Sequence, residues 1–254
     1  MENINLLQGN CLELMKEIPD KSIDMILCDM PYGTTNLDFD KQPIPLVELW
    51  EQYNRIIKNN GAILLFSAQP FTTDLINSNK KMFRYEIIWK KALASGFLNA
   101  NKMPMKAHEN ICVFYKHLPV YHPQMKILTK EEIKQKGVQI GRKRVSKNGI
   151  CRQYRSYRRG SYIDKGVRYP CDVVEFSNWN GALFGNTENA TKHPTQKPVP
   201  LLEYLINTYS NQQDIVLDNT AWEAAVQELL VSIQIVNLLV WRLIKLILIL
   251  QSKE

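Results

Sequence analysis

The sequence predicts an α/β protein built on a doubly wound sheet, and three observations support this fold class. Short apolar runs, which suit strands buried on both faces of a parallel sheet, occur at 23–28, 62–66 and 214–218. Segments with apolar residues at helical spacing lie between such runs. The resulting rhythm of strand, helix, strand, helix is typical of a doubly wound sheet.

The first elements follow from local signals. A strand over 5–7 precedes a helix over 11–18, for which Asn10 is a suitable N-terminal cap. The buried strand at 23–28 comes next. A helix over 45–58 carries apolar residues on one face, and we predict that Gly61 ends it by supplying a left-handed turn.

The next elements complete the first half of the chain. The strand at 62–66 is followed by a short helix that ends near Ile76 and by strands at 85–89 and 109–115. In the last strand, Ile111, Val113 and Tyr115 alternate with Cys112 and Phe114, which is the period of a strand.

Composition restricts the classes of function. The net charge of +7 fits a polyanionic partner. The five cysteines form no Cys-x-x-Cys pair and are odd in number, which predicts neither a disulfide framework nor a metal site, and favours a cytoplasmic setting. The N-terminal residues show no basic region followed by an apolar core, so no signal peptide is expected.

The segment 22–33, Ser-Ile-Asp-Met-Ile-Leu-Cys-Asp-Met-Pro-Tyr-Gly, carries the first functional signal. Asp29 follows the buried strand, at the edge where ligands bind in open α/β sheets. An acid, a rigid proline and an aromatic ring at this position suit a planar base with an exocyclic amine. Asp29 and the Met30 carbonyl would accept hydrogen bonds from the amine, Pro31 would fix the turn, and Tyr32 would stack on the base.

This segment resembles the Asp-Pro-Pro-Tyr signature of the DNA amino-methyltransferases, which methylate adenine N6 or cytosine N4 with S-adenosylmethionine. Met30 stands where the first proline is usual, and the group at that position acts through its carbonyl. The alternative interpretation is an ordinary buried strand that ends in a Pro-Tyr-Gly turn, because short motifs carry a real false-positive risk.

The segment 141–168 is rich in basic residues interleaved with tyrosines and contains one acid, Asp164. Guanidinium groups pair with phosphates and guanine edges while tyrosines stack, so the segment suits a nucleic-acid surface. The alternative is a solvated basic loop. The predicted DNA-binding residues are Arg142, Lys143, Arg144, Arg152, Arg155, Arg158 and Arg159.

The segment 192–198, Lys-His-Pro-Thr-Gln-Lys-Pro, precedes an apolar helical stripe and resembles a second motif of the same enzymes. Alone, it is compatible with a simple helix entry. The order of the motifs is similar to that of the beta group of these permuted enzymes. The resemblance, which covers 1 to about 220, implies that the residues at the cofactor are His193, Thr195, Lys197, Pro198, Asp218 and Thr220.

This resemblance divides the chain into four parts. Residues 1–115 form the catalytic half of a Rossmann-like methyltransferase domain, and 116–190 form an inserted target-recognition region. Residues 191–220 form the cofactor-side segment. The remaining 221–254 form an aberrant apolar tail.

The resemblance ends after Thr220. The family continues there with a glycine-rich turn, where the backbone approaches the cofactor closely, but this chain has no glycine after Gly181. The tail is long enough to span a membrane, yet Arg242 and Lys245 would each cost about 2.5–3.5 kcal/mol at its centre. No membrane association is therefore expected, although the tail exposes a large apolar surface that favours aggregation.

A shift of reading frame near Thr220 explains the tail better. The last base of the Trp222 codon and the first two of Glu223 must spell GGA, a glycine codon. Permitted codons for 221–230 can encode Met-Gly-Ser-Gly-Ser-Thr-Gly-Val-Ala in the shifted frame, and those around 239–244 can encode an apolar strand that ends in acids. These codons are chosen, so the frameshift is a hypothesis about the gene.

The sequence therefore predicts a site-specific DNA methyltransferase of the restriction-modification kind. The resemblance implies double-stranded DNA as substrate, S-adenosylmethionine as cofactor and adenine N6 as a target favoured over cytosine N4. Loss of the glycine-rich turn predicts that this copy is inactive. The alternatives are a catalytically dead DNA-binding remnant and, with less support, a methyltransferase acting on RNA or on protein amides.

Overall fold

The computed structural model describes residues 4–34, 40–41, 43–145, 149–150, 156–157, 161–178, 197–221 and 245–250. The chain divides into two compact units. The first comprises Met1–His122 and Asp172–Glu254, and the second is Pro123–Cys171, which lies within the predicted recognition insertion. No helix in the described part of the chain combines the length and the apolar character needed to cross a membrane.

The first unit is organised around an eight-stranded, mostly parallel sheet with the order β1-β14-β13-β2-β3-β5-β4-β12. Only the pairings of β5 with β3 and β4 are antiparallel. The strands are β1 (Ile4–Gln8), β2 (Ile23–Cys28), β3 (Ile57–Ser67), β4 (Phe83–Ser95), β5 (Lys106–Phe114), β12 (Val173–Phe176), β13 (Ile215–Ala221) and β14 (Lys245–Leu250). The predicted doubly wound α/β class is confirmed.

In the described part of this unit, four helices cover the two faces of the sheet. They are α1 (Cys11–Glu17), α2 (Leu46–Ile56), α3 (Phe71–Ser78) and α5 (Val199–Tyr209). Helices α1, α2 and α3 share one core cluster, and α5 contributes to the other. Strand β2 supplies both clusters, because Ile26 and Cys28 belong to the first while Met25 and Leu27 belong to the second. This alternation explains why its sequence is a nearly continuous apolar run.

The helix boundaries confirm one expected cap and correct another. The Asn10 side chain accepts a hydrogen bond from the Leu12 amide at 2.9 Å and so caps α1. The predicted role of Gly61 is wrong, because α2 ends at Ile56 and Gly61 lies inside β3. A Cβ atom at Gly61 would lie 2.7 Å from the Asp24 carbonyl oxygen, so glycine permits the close approach of two strands here.

Part of the predicted apolar tail belongs to the sheet. Lys245–Leu250 forms β14, which pairs in parallel with β1 on one side and with β13 on the other. The tail was expected to expose a large apolar surface. The backbone of these six residues is instead paired with a strand on each side. The segment 222–244 and the residues after 250 lie outside the described part.

The second unit contains short two-stranded pairs and one helix. Its elements are β6 (Lys126–Ile127), α4 (Lys130–Gln135), β7 (Lys143–Val145), β8 (Gly149–Ile150), β9 (Ser156–Tyr157), β10 (Ser161–Ile163) and β11 (Val167–Arg168). Thr129 and Glu132 form a capping box at the start of α4. Asp164, the single acid of the basic segment, is buried and forms an ion pair with Arg168 at 2.8 Å.

Candidate active site

The candidate site begins directly after β2, where Asp29 leaves the sheet. The Asp29 carboxylate accepts a hydrogen bond from the Tyr32 hydroxyl at 2.7 Å. Met30 and Pro31 are buried, and the Met30 side chain belongs to the core cluster on the α1 side of the sheet. The tetrapeptide is therefore anchored by its middle residues, while Asp29 and Tyr32 remain partly accessible.

Asp40 fixes the turn that follows. Its buried carboxylate accepts hydrogen bonds from the backbone amides of Tyr32, Gly33 and Thr34, at 2.6, 2.9 and 2.8 Å. Gly33 has a φ of +68°, in the left-handed region that favours glycine. Asp40 was not predicted as a site residue, because its polar loop carries no periodic pattern.

A buried chain of ion pairs connects Asp29 to β4 and β5. The Lys197 ammonium lies 2.8 Å from Asp29 Oδ2 and 3.1 Å from Glu109 Oε2. Glu109, on β5, also pairs with Lys91 on β4. The side chains of Lys197, Glu109 and Lys91 are between 10% and 14% exposed, whereas that of Asp29 is 33% exposed. Charges are thus held in the order Lys91, Glu109, Lys197 and Asp29.

Mutual attraction keeps Lys197 and Glu109 ionised despite their burial. Burial opposes the charge of Lys197, but Asp29 and Glu109 outweigh it and raise the pKa of the ammonium group. Burial likewise opposes ionisation of Glu109, yet Lys197 and Lys91 lower the pKa of this carboxyl group below its usual value. Sequence analysis missed Glu109; the one available signal was that it is the only acid between Glu86 and Glu131.

An aromatic pair forms another side of the site. The Tyr32 ring stacks on Phe71, with ring centroids 5.4 Å apart and an interplanar angle of 19°. The Lys197 ammonium lies 5.8 Å from the Tyr32 centroid and 5.2 Å from that of Phe66. Burial and the negative charges of Asp29 and Glu109 raise the pKa of the Tyr32 hydroxyl well above its ordinary value. Tyr32 is therefore a neutral hydrogen-bond donor to Asp29.

The end of β13 lies beside Asp29. Thr220 donates a hydrogen bond from its hydroxyl to the Asp29 carbonyl oxygen at 3.1 Å, and its hydroxyl lies 3.0 Å from Cys28 Sγ. The Asp218 carboxylate accepts hydrogen bonds from the amide and the hydroxyl of Thr220, at 3.0 and 3.3 Å. Asp218 and Thr220 are thus part of one hydrogen-bonded group at the carboxyl ends of two adjacent strands.

Asn219 links β13 to α2 through a hydrogen bond. It is fully buried, and its side-chain oxygen accepts a hydrogen bond from the Tyr53 hydroxyl at 2.5 Å. Its amide nitrogen has no hydrogen-bond partner within the described residues. Strand β13 continues through this position to Ala221, where a glycine-rich turn was expected from the resemblance.

Burial raises the pKa of Asp218 to about 6; the Thr220 amide opposes the shift and the Asp29 charge adds to it. An acid whose pKa is raised by folding holds its proton more tightly in the folded state. The stabilisation that this proton provides is present below the ordinary pKa of 3.8 and is lost as the pH rises through about 6.

We therefore predict that Asp218→Asn increases the free energy of unfolding relative to the unmodified chain, and that the difference grows between pH 4 and pH 7. A shift of this size corresponds to at most about 3 kcal/mol. Urea unfolding at pH 4, 5, 6 and 7 measures it. A constant difference across this range would contradict the raised pKa, and Asp74→Asn, at an exposed carboxyl group, is the matched control.

The structure places some of the predicted site residues and leaves others undescribed. It brings together Asp29, Tyr32, Lys197, Asp218 and Thr220, and Pro198 lies at the N-terminal cap of α5. Arg142 and Lys143 are exposed in the second unit, and the backbone of Arg144 lies in β7. The predicted residues outside the described part are His193, Thr195, Arg152, Arg155, Arg158 and Arg159.

Curated relatives match most of this chain. The type II methyltransferase M.BglII of Bacillus subtilis is 25% identical over 232 residues, which cover 84% of this chain and 58% of the relative. The type II methyltransferase M.HpaI of Haemophilus parainfluenzae is 28% identical over 222 residues, covering 84% and 62%. The chain thus spans about three fifths of the length of these two relatives.

Solved structures share the fold at lower identity. The PvuII DNA methyltransferase has a TM-score of 0.61 at 14% identity, with 98% of this chain and 82% of that chain covered. The M1.HpyAVI–SAM complex has a TM-score of 0.56 at 17% identity, covering 98% and 94%. The predicted Rossmann-like methyltransferase fold is confirmed. A family model described as DNA methylase matches residues 23–219, more than three quarters of the sequence, and the chain therefore belongs to the DNA methylase family.

Proposed function

We propose that this chain derives from a site-specific DNA methyltransferase of the restriction-modification kind, which acts on an exocyclic amino group of double-stranded DNA. The observation that carries the proposal is the placement of Asp29 at the carboxyl end of β2, between the Tyr32 hydroxyl and the Lys197 ammonium. This arrangement presents a fixed hydrogen-bond acceptor beside an aromatic ring at the edge of the sheet where ligands bind.

Each residue of the tetrapeptide has a defined role in holding a base that has left the duplex. Asp29 accepts a hydrogen bond from the amino group, and because a carboxylate oxygen accepts more than one hydrogen bond, Lys197 keeps its contact. The Met30 carbonyl accepts the second amino hydrogen. Tyr32, whose ring already stacks on Phe71, offers its other face to the base.

We assign Lys197 to the positioning of Asp29 rather than to the cofactor. Its ammonium contacts the Asp29 carboxylate directly and also forms an ion pair with Glu109, which is itself paired with Lys91. A carboxylate held on one side by a buried cation loses little freedom when a substrate arrives. Lys197 and Glu109 thus hold the Asp29 carboxylate in one orientation.

We propose that the part of the site that would hold S-adenosylmethionine, which supplies the methyl group when bound, is incomplete in this chain. Asn219 and Thr220 are buried and bonded to Tyr53, Cys28 and Asp29, and the strand runs on to Ala221. The sequence that follows Ala221 contains no glycine that could form the expected turn. We propose that His193 and Thr195 lie on the cofactor side, and that this copy binds the cofactor weakly and is inactive.

Adenine N6 is the favoured target, with cytosine N4 as the alternative. An acid opens the tetrapeptide here, as in most adenine enzymes that it resembles. The relative YhdJ of Escherichia coli K12, 26% identical over 231 residues, is a DNA adenine methyltransferase by name, whereas the PvuII enzyme is described as specific for cytosine N4. Separation of the methylated nucleosides from digested DNA distinguishes the two products.

DNA binding without catalysis is the second candidate function, and the continuous strand through Ala221 favours it. The second unit carries exposed Arg142 and Lys143, and the predicted contacts to DNA extend to Arg144, Arg152, Arg155, Arg158 and Arg159. A remnant of this kind would still bind the phosphate backbone, because such contacts need no cofactor.

The decisive experiment compares two purified chains on mixed-sequence DNA with tritiated S-adenosylmethionine. One is the present chain. In the other, called the shifted chain, the reading frame after Thr220 is changed so that the glycine-rich sequence is restored. We expect label in DNA only from the shifted chain, and tight cofactor binding by isothermal titration only for that chain. Activity of the present chain would contradict the proposed inactivity, and inactivity of both chains despite correct folding would contradict the proposed function.

A further inference from the structure

The hairpin between β4 and β5 extends beyond the sheet and ends in an exposed apolar tip. Both strands are exposed from Ala92 to His108, although Ile87 and Trp89, earlier in β4, are buried. Phe97 and Leu98 are 71% and 80% exposed at the tip. Three further apolar side chains of the hairpin are also exposed, namely Leu93, Met103 and Met105. An apolar cluster of this kind on a soluble surface marks an interaction site.

The tip has a defined backbone structure. Gly96 has a φ of +89° and leads into a short 3-10 helix, Phe97–Asn99. The amides of Lys102 and Met103 both donate hydrogen bonds to the Asn99 carbonyl, at 2.9 and 3.0 Å. The side chains of Phe97 and Leu98 are therefore carried by a closed turn, which holds them in place at the end of the hairpin.

The charge of the hairpin indicates which partner it fits. Between Glu86 and Glu109 the chain carries no acidic residue, and its charged side chains are Lys90, Lys91, Lys102 and Lys106. Lys90 and Lys91 form ion pairs with Glu175 and Glu109, whereas Lys102 and Lys106 are exposed next to the tip. An apolar tip flanked by these two exposed lysines is complementary to a polyanion with an apolar interior. Duplex DNA has this character, because stacked bases lie between two rows of phosphates.

The stem of the hairpin leads directly to the candidate active site. Trp89 on β4 faces Glu109 on β5, and Glu109 contacts Lys197, which contacts Asp29. The stem is attached to the sheet by Asn178, which exchanges two hydrogen bonds with the backbone of Leu93. The apolar tip and the acceptor for the amine therefore belong to one continuous structure within the first unit.

We propose that this hairpin is a DNA wedge, in which Phe97 and Leu98 insert between base pairs and occupy the space left when the target base moves to Asp29. Apolar side chains that enter a base step offset the cost of unstacking it. This inference rests on the proposed function, since it requires that the chain binds duplex DNA and takes a base from it.

The test measures dissociation constants of the full chain for two duplexes at one salt concentration. One is a fully paired duplex of mixed sequence, and the other is identical except for a single abasic position, where the stack is already open. We expect the unmodified chain to prefer the abasic duplex about tenfold. In the double variant Phe97→Ser, Leu98→Ser this preference should fall to about onefold, while binding to the paired duplex changes less than about threefold.

A matched control removes the same kind of surface elsewhere. Val47 and Leu118 are 71% and 79% exposed, and Leu118 follows the end of β5 that is remote from the tip. The double variant Val47→Ser, Leu118→Ser should keep the tenfold preference. All four substitutions replace exposed side chains, so thermal unfolding of both double variants should match that of the unmodified chain.

The outcomes separate the wedge from the proposed function. If the unmodified chain binds neither duplex, DNA binding itself fails, and the proposed function fails with the wedge. If it binds both duplexes and the tip variant keeps the preference, only the wedge is overturned. If sedimentation shows a dimer that the tip substitutions dissociate without changing the preference, the tip joins two copies of this chain, and the wedge is again overturned.

Discussion

In the chain whose glycine-containing reading frame is restored after Thr220, replacing Asp29 with alanine should lower the rate of methyl transfer by about 10²- to 10⁴-fold. This range is typical for removal of a positioned polar group that acts on the reacting centre. In the structure the Asp29 carboxylate contacts Tyr32 and Lys197. Among the described residues, the other carboxylate that contacts Lys197 is Glu109. In Asp29→Ala the Met30 carbonyl remains as an acceptor, but the described part of the site offers no second carboxylate to replace Asp29.

The measurement is a single-turnover assay with tritiated cofactor, which separates the transfer step from product release. Affinity for DNA should change less than about threefold, since phosphate contacts supply most of it. Asp74→Ala removes an exposed carboxylate in the first turn of α3 and serves as the control, with a rate within about twofold of the unmodified enzyme. A tenfold or smaller loss in Asp29→Ala would show that another group orients the amine.

Replacing Lys197 with methionine in the present chain should lower the free energy of unfolding by about 3 kcal/mol. The substitution leaves Glu109 buried with Lys91 as its remaining cation and leaves Asp29 without its ammonium partner. Removing one member of a buried ion pair costs about 3–5 kcal/mol, and the partial exposure of Asp29 places the expected loss at the lower end. Urea unfolding measures the change.

A second substitution tests the cause of this loss. Asp29→Asn in the Lys197→Met background removes the carboxylate that has lost its ammonium partner, and about 1–2 kcal/mol should be recovered. Lys90→Met breaks the ion pair with Glu175, whose side chains are 55% and 67% exposed, and should cost less than about 1 kcal/mol. Equal losses of unfolding free energy in Lys197→Met and Lys90→Met would mean that burial does not strengthen the ion pairs of Lys197.

Local sequence patterns predicted the framework of this fold. The apolar run of β2 indicated a strand buried on both faces, and the alternation at 111–115 matches the structure, in which Ile111 and Val113 belong to one core cluster while Cys112 and Phe114 belong to the other. Such patterns are reliable because burial on a given face repeats with the period of the element itself.

Interactions between distant segments were not predictable in the same way. Gly61 was expected to end a helix, since no local pattern reveals that the Asp24 carbonyl approaches it from a neighbouring strand. The pairing of Lys197 with Asp29 joins residues at opposite ends of the matched family region, and Glu109 joins them from a third segment. The resemblance located Asp29 and Lys197, but only the folded sheet shows that the two residues are in contact.

The position of β14 also constrains the order in which the sheet forms. Among the described strands, β1 has β14 as its single neighbour, so Ile4 pairs with Leu246 across nearly the whole length of the chain. During synthesis on the ribosome, β1 emerges first yet has no strand to join until Lys245–Leu250 has been made. Contacts of such large sequence separation slow folding and leave the edge of β13 unpaired in the meantime. A nascent chain of this protein therefore depends on β14 to shield the edge of β13.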